Sequence, residues 1–386
     1  MYRDFFQRVT GPDGCVDFLD PSYVSQACEY LNVPAEIAEA FRAEAERIRG
    51  DAGRSQLAVS FHRELFIEKQ PAKPVNDRLL AMGPESGMFA AVVYLGGLPQ
   101  VMEVYDAKGI PEQVLIDTLG DMVIWMRHHR NKHGAWGLSQ LHWLIRHWSG
   151  HLFKLGRLQF MNIAYDKPVK AFRHKATGRV LALADSGVRF RADGQVDGTN
   201  GVFDPEGGWT SHYAFDGKAH TGNPIGPDGS ASRETAVLPA DEWELVLQRG
   251  DPVLDVHIPE GEKMAHERCL DSYRRAVVFW ADHFPEIRPK AFVCTSWLLS
   301  PQFRTLLPPD SNIVQFQRDY YVTPVLSDEE QTLERVFGFG TKLEHLPNVP
   351  RETSLQRIVY DYLASGGRIH GAAGFRLIGE RETPET

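Results

Sequence analysis

The chain has 386 residues, of which 42% are apolar and 24% charged, and a net charge of −9. That length gives room for two or three domains with their own cores, and the composition is that of a folded globular protein. An acidic balance argues against a long nucleic-acid footprint, because phosphates are neutralised by Lys and Arg.

The opening MYRDFFQRVTG lacks an apolar run between a basic start and a small-residue cleavage site. No stretch is read as approaching the roughly 20 apolar residues of a membrane span, so the expected location is the cytoplasm, without a membrane partner. Cys15, Cys28, Cys269 and Cys294 show no CxxC spacing, and reduced thiols are the expectation.

The first predicted helix is PAEIAEAFRAEAERIRG, Pro34 to Gly50, with Ile37, Phe41 and Ile48 among alanines and charges and Gly50 as its stop. IPEQVLIDTLGDMVIWMRHHR follows, with proline near its start and apolar residues at Val114, Leu115, Leu119, Val123 and Met126. Residues 1–150 therefore read as a helical domain. From Leu158 the pattern alternates and strand formers dominate, in RLQFMNIAYD, RVLALAD, VRFRAD, SHYAFDG, WELVLQ, PVLDVHIP, AFVCTSWLL and SNIVQFQRDYYVTP. A stripe of Leu270, Tyr273, Val277, Trp280 and Phe284 separates PVLDVHIP from AFVCTSWLL, which predicts a right-handed β-α-β crossover over residues 252–299. Residues 193–234 are crowded with Gly, Pro, Asp and Asn, yet hold Phe203, Trp209, Tyr213 and Phe215. This reads as an ordered, hairpin-rich excursion covering a site, with Trp209, His212 and Asn223 as candidate ligand contacts. SLQRIVYDYLASGG predicts a last helix, followed by a glycine-rich strand or turn and a polar tail that frays. The class is α+β: helices, then a mixed sheet over 151–386.

Several residues have both a chemical and a structural reading. LDVHIPEGEKMAHERC, from Leu254 to Cys269, places a strand, a glycine loop and a helix start in succession. That arrangement can hold an anion on the unpaired N–H groups of the helix, or be a plain turn. His257 at the strand end suits a general base, and equally a hydrogen-bonded strand terminus. Cys294 and Ser296 share one side of their strand, with Thr295 and Trp297 on the other; Cys294 is a nucleophile if His257 reaches it, and otherwise a core residue. Asn312, after the LLPPD turn, orients a substrate or satisfies loop backbone. Arg157 and Gln159 share a side of GRLQF, and Arg157 either clamps an anion or pairs with Asp117 or Asp121. Metal chemistry would draw on His257, His266 and Cys269, or on His129 and His133; no HExxH, paired CxxC or acidic cluster completes either set, so no metal is expected.

Taken together, LGRLQF (Leu155 to Phe160), HIPEG (His257 to Gly261), the spacing of Cys269, Ser272 and Ala276 before Phe284 and Pro285, CTSWLL (Cys294 to Leu299) and SNI (Ser311 to Ile313) resemble one family. It is the bacterial two-domain acyltransferase-like family, which joins an N-acyltransferase N-terminal domain to a GNAT-like C-terminal domain. The resemblance covers nearly the whole chain. It implies acetyl-CoA or another acyl-CoA as donor and an amine or hydroxyl of a small molecule as acceptor; beside it, our own reading of the residues makes His257 the base, with Ser296 or Asn312 orienting. It also implies a pyrophosphate loop at Pro259 to Met264, that is Gly261, Glu262, Lys263 and Met264. The usual GNAT pattern of two glycines, or glycine and alanine, is absent, since HIPEGE has one glycine and two glutamates. The alternative is a binding protein on a GNAT-like scaffold that takes a small ligand through the excursion and turns nothing over.

Overall fold

The computed structural model describes residues 2–9, 11, 16–83 and 86–379; Cys15 and the polar tail beyond residue 379 lie outside them. The chain divides into two compact units, one of Met1–Met161, Ile258–Gly261 and Asp282–Phe284, the other of Asn162–His257, Glu262–Ala281 and Pro285–Thr386.

The first unit is built from α1 (Tyr2–Val9), α2 (Pro21–Tyr30), α3 (Ala35–Arg49), α4 (Ala52–His62), α5 (Ala72–Ala81), α6 (Gly87–Gly96), α7 (Leu98–Ala107), α8 (Glu112–Leu119), α9 (Asp121–His133) and α10 (Leu141–Trp148). Hairpin strands β1 (Leu152–Leu155) and β2 (Leu158–Ala164) follow, and the chain passes to the second unit within β2. Helix α3 ends before Gly50 as its pattern predicts, and buries Ile37, Phe41 and Ile48. Helix α6 is apolar on every side and wholly buried, as a helix running through a core must be. With α7 it makes a stretch, 87–107, long and apolar enough to cross a membrane. That corrects the reading that no such stretch exists; here it is a core element of the helical unit. The helix expected after Pro111 is two, α8 and α9, meeting at Gly120. Glycine weakens the helix there, and Asp121 beside it favours a new N-terminus.

The second unit continues with β3 (Val169–His174), β4 (Val180–Ala184), β5 (Arg189–Phe190), β6 (Trp209–Thr210), β7 (Tyr213–Phe215), β8 (Ala219–Gly222), β9 (Pro224–Ile225), β10 (Ala236–Pro239), β11 (Trp243–Leu247) and β12 (Pro252–His257). Then come α11 (His266–His283), β13 (Ala291–Ser296), α12 (Phe303–Leu306), α13 (Asn312–Arg318), β14 (Tyr321–Thr323), α14 (Glu330–Phe337), α15 (Ser354–Ala364) and β15 (Ala372–Leu377). Its main sheet runs β12-β13-β15-β14; β12 and β13 are parallel and joined by α11, while β15 is antiparallel to both β13 and β14. The predicted crossover is therefore present, and the fold is α+β. The glycine-rich segment near the end forms β15, an interior strand of this sheet.

Two faces of that sheet matter for function. Register pairs Leu254 with Phe292 and Asp255 with Val293. Phe292 meets Tyr273 of α11, ring centroids 4.8 Å apart, so Leu254, Val256, Phe292 and Cys294 face the helix. Val253 and Val293 face away, into a core shared with Trp209, Ile225 and Ala231 of the excursion. The excursion is thus ordered and packed against the face on which Asp255 and His257 project.

One predicted strand is wrong. SNIVQFQR forms α13, because the Ser311 hydroxyl accepts from Val314 N and caps the helix; only Tyr321–Thr323 is extended. Similarly, β13 stops at Ser296, and Trp297 opens a 3₁₀ turn instead of continuing the strand.

Candidate functional site

The carboxyl end of β12 brings together the groups with the most chemistry. His257 Nε2 lies 3.0 Å from Asp255 Oδ2, and both side chains are about three-quarters buried, with 26% and 21% of their surface exposed. Residues i and i+2 of a strand share a face, so the pairing follows from local geometry. The ladder between β12 and β13 ends at Asp255 and Val293, although β12 runs on to His257 and β13 to Ser296. Thr295, an odd-numbered neighbour of Val293 on the same face, is exposed. In sheets with parallel strands, ligands bind at this carboxyl edge.

Past His257 the chain makes the loop that leads to α11. Gly261 has φ +128° and open space where a Cβ would stand, a conformation natural to glycine. The carbonyl of Ala265 accepts the first helical bonds from Arg268 and Cys269, leaving the leading N–H groups directed along the axis toward the loop. Of the two loop glutamates, Glu260 pairs with His128 at 2.5 Å and Glu262 with Arg268. The charge of Glu262 is thereby offset within the protein. Lys263 is exposed, and Met264 partly so. His266, the first helical residue, bonds Asp319 at 2.9 Å, and Asp319 also accepts from Arg376.

Other predicted residues fall elsewhere. Cys294 is on the α11 face, opposite His257, and burial pushes its thiol well above the usual range, which removes the proposed Cys–His pair. Ser296 lies on that same face, and its hydroxyl accepts from Leu298 N as a cap. Asn312 is exposed in the first turn of α13. Trp209 is buried in the core and donates to Arg191 O at 3.1 Å. His212 is exposed, and its backbone N–H donates to the buried Asn223, whose amide donates in turn to Ser232 O and Arg233 O. Asn223 therefore stitches three strands of loop together. Asn223→Ala removes all three bonds and should lower stability by about 1–3 kcal/mol, read as an earlier denaturant midpoint.

In the first unit, Arg157 sits in the β1–β2 turn after Gly156 (φ +71°), not on a central strand. It donates to Pro259 O at 2.9 Å and so holds the start of the loop. The acids expected to pair with it are engaged otherwise: Asp117 accepts from Gln113, and Asp121 Oδ2 accepts from Trp125 and Trp143 at 2.9 Å each. Gln159 is buried with its amide 3.3 Å from His147, whose Nε2 is 3.2 Å from Asp121. His129 is buried beside Ser139, 2.6 Å away, and burial drives its imidazole down to about 4; its ring lies against that of His133. Among the described residues no three His, Cys, Asp or Glu side chains cluster as a metal site would need.

Sequence reasoning missed Asp255. The signal was present, an acid two residues before a strand-end histidine, but it becomes chemistry only once that stretch is fixed as a strand.

Residues 23–150 match the N-acyltransferase N-terminal domain family, and residues 152–376 the GNAT-like C-terminal domain family. No curated protein matches the chain. Among solved structures, an acyltransferase in complex with decanoyl-CoA is similar at 23% identity and a TM-score of 0.59, over 92% of this chain and 88% of that one. The same values hold for an acyltransferase in complex with decanoyl-CoA and teicoplanin. An acyltransferase mutant in complex with octanoyl-CoA gives 22% and 0.58 over the same shares. At such identities the likeness is one of fold.

Proposed function

Since the chain belongs to the family that joins an N-acyltransferase N-terminal domain to a GNAT-like C-terminal domain, we propose that it moves an acyl group from a coenzyme A thioester to an amine or hydroxyl of a small acceptor. The solved acyltransferases of similar fold hold decanoyl-CoA or octanoyl-CoA, and we extend that donor class to this chain. With an intracellular donor of this kind, we assign the reaction to the cytoplasm, and we take the cell to be bacterial from the family resemblance of the sequence.

The observation that carries the reading is the carboxyl end of β12. There His257 stands against Asp255 on the excursion-covered face, and the next residues form a glycine loop at the start of α11. In the proposed reaction the acceptor nitrogen or oxygen attacks the thioester carbonyl. Its bond to carbon forms, the carbon–sulfur bond breaks, His257 takes the acceptor's proton, and coenzyme A leaves as the thiol once that proton is returned. The loop from Pro259 to Met264, with Gly261 and Lys263, is assigned to the pyrophosphate, where helix N–H groups and the dipole favour negative charge. Ser296 and Asn312 were candidate orienting groups. Ser296 is occupied as a cap on the other face, so Thr295 is the better hydroxyl for that role.

The test is a calorimetric titration of the folded protein with coenzyme A, acetyl-CoA, octanoyl-CoA and decanoyl-CoA. Binding of at least one thioester at about micromolar strength, roughly −8 kcal/mol, is expected, with a tenfold or greater weakening in Gly261→Asp. No heat from any of the four would overturn the donor assignment and favour a non-catalytic binding protein.

A further inference from the structure

We infer that Arg157 and His128 are positioning residues for donor binding: they hold Pro259 and Glu260, the start of the loop assigned above to the pyrophosphate, in the shape that receives it. The inference rests on the acyl-CoA reading of that loop. Ile258–Gly261 follow β12 in sequence yet belong to the first compact unit. Among the described residues, 259–261 make no backbone-to-backbone hydrogen bond, and Pro259 has no N–H with which to make one. Gly261, at φ +128° with open space where a Cβ would stand, imposes no shape of its own. The start of the loop therefore takes its shape from the side chains that grip it.

Two rigid elements supply them. Arg157 stands in the two-residue turn between β1 and β2, whose register closes with Leu155 opposite Leu158, and its guanidinium donates to Pro259 O at 2.9 Å. His128 lies on α9 with its ring 5.2 Å from that of Trp125, and its Nε2 is 2.5 Å from Glu260 Oε2. Consecutive residues are thus held from a hairpin and from a helix, just before the glycine. Residues ordered in advance need not be ordered by the ligand. A loop that held the receptive shape only a fraction of the time would bind more weakly by that fraction. Glu260 gives the inference a sign. As a bare carboxylate beside an anion it would repel the pyrophosphate, and its removal would tighten binding. As the group by which His128 holds the loop, its removal weakens binding.

Calorimetric titration of the full chain with coenzyme A and decanoyl-CoA decides it, for wild type, Arg157→Met, Arg157→Lys and Glu260→Ala, each checked for folding by its melting curve. Arg157→Met keeps the apolar stem and loses the donor; it is expected to weaken both ligands about five- to thirtyfold. Arg157→Lys can still donate to Pro259 O and should recover part of that loss. The Glu260 side chain is 62% exposed, so Glu260→Ala keeps the fold even where Arg157→Met does not, and it should weaken binding about threefold or more. Decanoyl-pantetheine, with the same chain and thioester but no pyrophosphate, should bind all four proteins alike, which a general loss of structure would not permit. Unchanged or tighter coenzyme A binding in Glu260→Ala or in a folded Arg157→Met, or equal losses for decanoyl-pantetheine, would overturn the inference and leave the donor reading standing. A wild type that binds neither coenzyme A nor decanoyl-CoA would overturn the donor reading itself, and this inference with it.

Discussion

Replacing His257 with glutamine should lower the rate of acyl transfer by about 10²- to 10⁴-fold, the usual worth of a general base, while affinity for the acyl-CoA stays within about threefold. Glutamine is close to histidine in size and still polar, so the face of β12 keeps its packing, but it cannot accept a proton at neutral pH. The loop proposed for the pyrophosphate begins beyond His257 and is held by other contacts, those of Arg157 with Pro259 O and of His128 with Glu260. A base lost from an intact binding site lowers kcat and leaves binding alone. Thiol release gives the first quantity and calorimetry the second. A rate within a few-fold of wild type would remove His257 from the chemistry, and a parallel loss of binding would make it a structural strand terminus.

How much of this was legible in the sequence depends on the range of the physics involved. The crossover from β12 through α11 to β13 was readable because strand alternation and helical spacing are local signals, and 252–299 carries both in succession. The helix SNIVQFQR was misread because Ile313, Val314 and Phe316 suit a strand nearly as well as a helix. The deciding feature was the Ser311 cap, a single hydrogen bond. The Cys294–His257 pair failed for a longer-range reason. Whether two residues on neighbouring strands share a face depends on register, and here Asp255 opposite Val293 sends His257 and Cys294 to opposite sides. Asn223 shows a third limit: a buried amide that holds loop backbone and one that holds a ligand look alike in composition, and only its partners tell them apart.

The largest effect on stability should come from Asp121→Ala in the helical unit, about 3–5 kcal/mol. Asp121 is 5% exposed, and one of its oxygens accepts from the indoles of Trp125 and Trp143, with His147 Nε2 at 3.2 Å. Truncation leaves those groups buried without their acceptor, which is the expensive case: each loses a partner in a place water cannot reach. Burial pushes the Asp121 carboxyl up, but the donors from His147, Trp143 and Trp125 outweigh it and hold it below the ordinary aspartate value. The sign of the pH effect follows. With the folded value depressed, the unfolded chain binds the proton first, so this contribution is fully present above about pH 4 and is lost as pH falls below that toward the folded value. Asp121→Asn cannot titrate there, and its stability should fall less than that of wild type between about pH 4 and pH 2. Denaturant unfolding followed by tryptophan fluorescence reads both, with Trp125 and Trp143 themselves as reporters. A midpoint for Asp121→Ala within 1 kcal/mol of wild type would mean that water takes over the donors, and that the helical unit is less tightly closed around Asp121 than its burial indicates.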